Sequence, residues 1–165
     1  MLPAALSAAV AEWPVLQRLR PHGGAPSGAI LERVEALCDA VFHPTGHNID
    51  RAGLSLFKGG LWYALDALDA AHSIFQDDPS PEGSYWHGML HRREGDFPNA
   101  KYWLQRAGRI PALMEIPDFD PVRFVSLCQR ADRDPLAEDP AELLAMQRLE
   151  WEHLLAAAYK KARRP

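Results

Sequence analysis

Proline and glycine cut this chain into short segments, and within the segments the apolar residues recur at helical spacing. The breaks run from Pro21 to Pro26, Pro44 to Gly46, Pro79 to Gly83, Pro111 to Pro121 and Pro135 to Pro140. Proline interrupts a helix, and glycine loses the most conformational freedom when held in one, so clusters of the two mark element ends. Between the breaks, Leu61, Ala64, Leu65, Leu68, Ala71, His72 and Phe75 fall on one helical face. Leu143, Leu144, Gln147, Trp151, Leu154 and Leu155 do so again. No stretch alternates apolar and polar residues between turn signals, as a half-buried strand does. The expected fold is therefore all-α: one helical domain spanning residues 1–165.

Helices are expected near 3–20, 27–41, 49–58, 61–76, 84–94, 97–108, 121–132 and 139–162. Asp96 is an N-cap with Pro98 in the turn that follows. Gly108 closes that helix, and Pro111 prevents its resumption. Asp139 before Pro140 repeats the cap-proline start.

Composition narrows the partners. A chain of 165 residues, 24% charged and 47% apolar, can bury one core without staples. Its net charge of −4 offers no global basic field for nucleic acid. No segment has the roughly 18 apolar residues of a membrane span. The N-terminal stretch lacks a basic start and carries Glu12, so it is expected to be an amphipathic helix broken at Pro14 rather than a leader. The terminal KKARRP is expected to be a frayed helix end. Cys38 and Cys128 form neither a disulfide framework nor a metal knuckle. They suit a reducing cytoplasm, with the protein a monomer or small homo-oligomer.

Sliding the chain by 36 residues lays Gly59 on Gly95, Leu54 on Leu90, Ala64 on Ala100, Leu68 on Leu104 and Ala71 on Ala107. Helix, glycine turn, and helix with small residues at its crossing is a pattern that resembles the tetratricopeptide repeat, whose period is about 34. The hairpins would cover about 48–76 and 84–108, with flanking helices as caps. Ala52 stands where that motif has glycine, and His87 and His91 where it has leucine and tyrosine.

The densest motif is His72-Ser-Ile-Phe-Gln76 followed by residues 80–108. His72, Ile74, Gln76, Gly83, Ser84, Tyr85, Trp86, His87, His91, Arg92, Arg93, Glu94, Asp96, Asn99, Tyr102 and Trp103 match a pattern H-x-I-x-Q, then G-S-Y-W-H-x3-H-R-R-E-x-D-x2-N-x2-Y-W. This resembles a family of uncharacterised fungal and bacterial proteins. The segments DPVRFVSLC and LEWEHLL resemble its C-terminal part, so the resemblance covers about two-thirds of the chain. It implies kinship and no activity.

His87 and His91 are four apart and Glu94 three further on, so one helical face offers two imidazoles and a carboxylate. Hairpin packing would bring His72 beside them. His72, His87, His91 and Glu94 then suit zinc or iron. The same residues also suit a structural hydrogen-bond network or metal-free acid–base catalysis. The zinc-protease H-E-x-x-H, the nucleophile elbow and the phosphate-binding glycine loops are all missing. His43 and His47 are expected in a solvent loop. Tyr85, Trp86, Met89, Arg92, Arg93, Asn99 and Tyr102 form a second candidate set, in which an arginine fork and aromatics would hold an anion. Two functions follow. One is a cytosolic binding module for a peptide or small anionic ligand. The other is a metal-dependent hydrolase or iron oxygenase centred on the histidines.

Overall fold

A computed structural model describes residues 6, 13, 17–21, 28–42 and 49–163. Among these the secondary structure is helical throughout, with α1 (Gly28–Phe42), α2 (Arg51–Ala64), α3 (Leu68–Phe75), α4 (Pro81–Glu94), α5 (Phe97–Ala107), a 3-10 turn (Pro111–Glu115), α6 (Pro121–Arg133) and α7 (Pro140–Ala162). Most of the helix expected near 3–20 lies outside the described residues, and its last part, 17–20, is turn and bend. His43 and His47 also lie outside them. No described helix is long and apolar enough to cross a membrane.

The starts of the helices follow from local chemistry. Asp50, Ser80, Asp96, Asp120 and Asp139 each accept a hydrogen bond from a first-turn N–H through the side chain. Each such cap is worth about 1 kcal/mol. Proline occupies the first turn of α4, α5, α6 and α7, where its missing N–H costs nothing. Ser80 and Pro81 start α4 one turn before the expected position. Gly95 ends it at φ 85°, a left-handed conformation that favours glycine.

The expected break at Gly59 is not where the chain turns. α2 runs through Gly59 and Gly60, and the turn falls at 65–67 with Asp66 at φ 59°. Gly59 is needed for closeness instead: a Cβ there would overlap the Phe75 ring, and one at Gly60 would press on Leu155 and Trp86. Asp66 tolerates the left-handed conformation. It is held there by Arg18, whose Nη2 donates at 2.7 Å, and by Arg93. The first hairpin thus turns seven residues later than the 36-residue offset implies, while the second turns at Gly95 as expected.

α4 is the central element. Every residue from Gly83 to Arg93 is buried, polar ones included. α3 packs on one side of it and α5 on another, and α7 reaches its remaining face. Gly88 lets α5 approach: a Cβ there would meet the Leu104 side chain and the Ala100 carbonyl. The core beside it joins Trp86, stacked on Phe75 at 5.4 Å, to Trp151, whose Nε1 donates to the Gly60 carbonyl at 2.9 Å. Burying such side chains contributes about 1.5–3 kcal/mol each, and this burial holds the helices together.

Candidate metal centre

His87 and His91 lie one turn apart on α4, and His72 comes from the facing side of α3. The ring centroids are 4.7 Å apart for His72–His87, 4.7 Å for His87–His91 and 5.6 Å for His72–His91. One ring nitrogen from each lies within 4.8 Å of the others. The Nε2 atoms of His72 and His87 face each other at 2.8 Å. His87 and His91 are buried and His72 is half-buried.

Neighbouring groups assign the tautomer of His91. Its Nδ1 faces the Glu94 Oε2 at 3.1 Å, so Nδ1–H donates to the carboxylate and Nε2 keeps a lone pair. The Asn99 amide Nδ2 donates to that lone pair at 3.2 Å. Glu94 therefore stands behind His91 rather than among the ligand nitrogens. The expected ligand set of four is three imidazoles with one orienting carboxylate. A carboxylate on the far ring nitrogen is the usual support of a metal-bound histidine, fixing the ring and raising its basicity.

His87 is the most constrained ring. Trp103 of α5 stacks on it at 4.2 Å, and its Nδ1 has no hydrogen-bond partner among the described residues. Burial first, and then the adjacent His91 and His72, lower its pKa from 6.5 to about 4 against the opposing charge of Glu94. His87 is thus neutral at neutral pH, with one ring nitrogen carrying a lone pair that a metal can take.

The geometry fits a transition metal. Zinc bound to imidazole at about 2.0–2.1 Å in a tetrahedron places its ligand nitrogens about 3.3 Å apart. The His72–His87 pair is already closer than that, all three nitrogens lie within 4.8 Å of one another, and a metal on His91 Nε2 would displace the Asn99 amide.

The second candidate set divides. Tyr85, Trp86, Met89, Arg92 and Arg93 are all inside the protein. The Arg92 guanidinium is buried against Glu150: Nη1 donates to Oε1 at 3.1 Å and Nη2 to Oε2. Tyr85 Oη donates to the same Oε1 at 2.7 Å, and burial and the Glu150 charge keep that phenol protonated. Arg93 pairs with Asp66 and donates to the Arg18 carbonyl at 2.9 Å. The arginine fork is therefore used internally and does not face a groove. Asn99 belongs to the histidine site, and Tyr102 is exposed beside Trp103. Sequence reasoning missed Glu150 and Asp66, which lie 58 and 27 residues from their arginines with no local signal.

Other reactive groups carry less. Burial raises the thiols to about 12 at Cys38 and about 11 at Cys128, which leaves both unreactive. A cleft of about 760 Å³ between α7 and the 3-10 turn has one histidine, His153, whose Nδ1 donates to the Leu149 carbonyl at 2.8 Å. No protein-family model, curated protein or solved structure matches this chain, so its own side chains carry the assignment.

Proposed function

We propose that this is a metal-binding helical protein in which His72, His87 and His91 hold one divalent transition metal, with zinc favoured. The observation that carries the proposal is the convergence within 4.8 Å of three imidazole nitrogens, two from the buried α4 and one from α3, with Glu94 fixing the tautomer of one of them. Three histidines and an open fourth position form a catalytic zinc set, whose chemistry is Lewis-acid activation of bound water or substrate. A hydrolytic activity follows from that set more readily than oxygen chemistry. The iron oxygenases use two histidines and a carboxylate, and here the carboxylate faces His91 Nδ1.

The reading as a peptide- or anion-binding module through Arg92 and Arg93 has less support, because both guanidinia are paired inside the protein. A tetratricopeptide-like second hairpin is part of the proposal, supported by the Gly88–Leu104 approach and by burial of Ala100 and Ala107. So is kinship with the fungal and bacterial family of the His-Arg-Arg-Glu motif. Free thiols at Cys38 and Cys128 suit a cytoplasmic setting.

Competition titration with a zinc indicator tests the metal. The wild-type chain is expected to take one zinc per molecule, and His87→Ala to lose it while keeping its helical circular dichroism. Failure of the wild type to bind, or equal binding by His87→Ala, would overturn the proposal.

A further inference from the structure

Charge is spread unevenly over the surface of this chain. From Phe97 to Met114 the sequence carries Lys101, Arg106 and Arg109 and no carboxylate, although the net charge is −4. Lys101 donates to Gln129 at 3.3 Å. Arg106 and Arg109 are exposed and have no carboxylate partner among the described residues. They alternate with exposed apolar groups. Tyr102, 55% exposed, meets the Trp103 ring at 5.4 Å, and Arg106 lies 5.5 Å from the same ring. Arg109 Nη2 reaches the Sδ of Met114, itself 61% exposed, at 3.8 Å. A ridge therefore runs from Tyr102 along the end of α5 to Met114. Tyrosine, tryptophan, arginine and methionine are the residues enriched at protein interfaces over ordinary surface.

Beyond Met114 the charge reverses. Glu115 faces the cleft beside α7, and past it a groove of about 340 Å³ opens between the starts of α6 and α7. Phe124, Leu143 and Met146 form its apolar floor. Asp118, Asp120, Glu138, Asp139 and Glu142 rim it against one arginine, Arg123. Asp120 and Asp139 cap their helices, and Glu138 pairs with Arg130. Asp118 and Glu142 are exposed and have no cation partner among the described residues. Met114 and Asp118 are four residues apart, a span of at most about 14 Å, so the ridge and the groove adjoin.

We propose that a second copy of this chain docks on this face. A two-fold axis near residues 114–118 would lay the ridge of each copy in the groove of the other. Tyr102 and Met114 would then cover the apolar floor, and Arg106 and Arg109 would meet Asp118 and Glu142. Such a pairing uses one contact twice and closes as a dimer, the commonest symmetry of soluble oligomers. The match of charge favours a second copy over a foreign partner, because one chain carries both halves. The proposal is independent of the metal.

Light scattering during gel filtration tests it. At about 100 μM protein and low salt, above the micromolar Kd of a weak specific interface, wild type is expected at the mass of two 18.4 kDa chains. Salt should shift it toward one chain, since exposed charges are screened. Arg106→Glu with Arg109→Glu, and separately Glu138→Lys with Glu142→Lys, should each lose the dimer through like-charge repulsion. Mixing these two variants should restore it, because one contact is then wild-type ridge on wild-type groove and the other is the charge-swapped pair. Circular dichroism shows whether each variant is folded. If a charge variant is not, Tyr102→Ser with Met114→Ser removes the apolar contacts instead and should give the monomer. A monomeric wild type, which a foreign acidic partner would leave, would overturn the proposal. So would a folded variant that stays dimeric, or folded charge variants that remain monomeric when mixed.

Discussion

A buried imidazole between two others is costly to charge, and His87 is in that position. In an unfolded chain it takes a proton near 6.5, while in the folded protein it does so only near 4. Between those values the unfolded state binds more protons, so stability is full above about 6.5 and falls as the pH is lowered toward 4. The difference sets an upper limit of about 3 kcal/mol from this residue. Urea midpoints of metal-free protein should fall more steeply across that window for wild type than for His87→Gln, and parallel curves would contradict the assignment. Zinc should raise the wild-type midpoints at neutral pH and make them fall more steeply on acidification, since a bound metal keeps the ligand rings unprotonated in the folded state while the unfolded chain takes up protons.

At the scale of elements, the hairpin of α4 and α5 depends on small side chains where the helices cross. Ala100 and Ala107 are buried on α5, and Gly88 faces Leu104 across the interface. Ala100→Leu and Ala107→Leu are each expected to lower stability by about 1–3 kcal/mol through overpacking. Unchanged denaturation midpoints would show that these positions have slack. Much of this hairpin was legible from sequence, because Asp96, Gly95, Pro98 and Gly108 act through local backbone geometry. Gly59 misled for a physical reason: glycine serves turns and close approaches alike, and the residues beside it in sequence do not say which. The turn is at Asp66, whose left-handed conformation depends on Arg18 and Arg93, both remote in sequence. The His87–His91 spacing was likewise legible, since four residues make one helical turn. Which face of the His91 ring Glu94 would meet was not, because the spacing places a carboxylate near the ring without choosing its nitrogen.

The whole molecule is tied together through charges inside it. Glu150 of α7 meets Arg92 and Tyr85 of α4, and Arg93 meets Asp66 and the backbone of the N-terminal segment. Such a pair is a weak source of net stability but a strong one of loss when half of it is removed. Glu150→Gln leaves the Arg92 guanidinium uncompensated in the core and should cost about 3–5 kcal/mol. The double variant Arg92→Met, Glu150→Met should recover much of that by filling the space with apolar atoms. Equal urea midpoints for Glu150→Gln and wild type would mean that water reaches the pair. This internal use of arginine also explains why a fork that reads as an anion site in sequence does not reach the surface. α4 is polar in composition yet lies at the centre, and its polar residues are partnered from α3, α5 and α7 rather than by solvent.

The most direct measurement is zinc-edge X-ray absorption on the zinc-loaded chain, which counts ligands by type. The expected spectrum has three imidazole nitrogens at about 2.0–2.1 Å with one further light atom, and no sulfur. His72→Ala should remove one imidazole from that count. A spectrum dominated by oxygen ligands, or one unchanged in His72→Ala, would contradict a centre built from His72, His87 and His91.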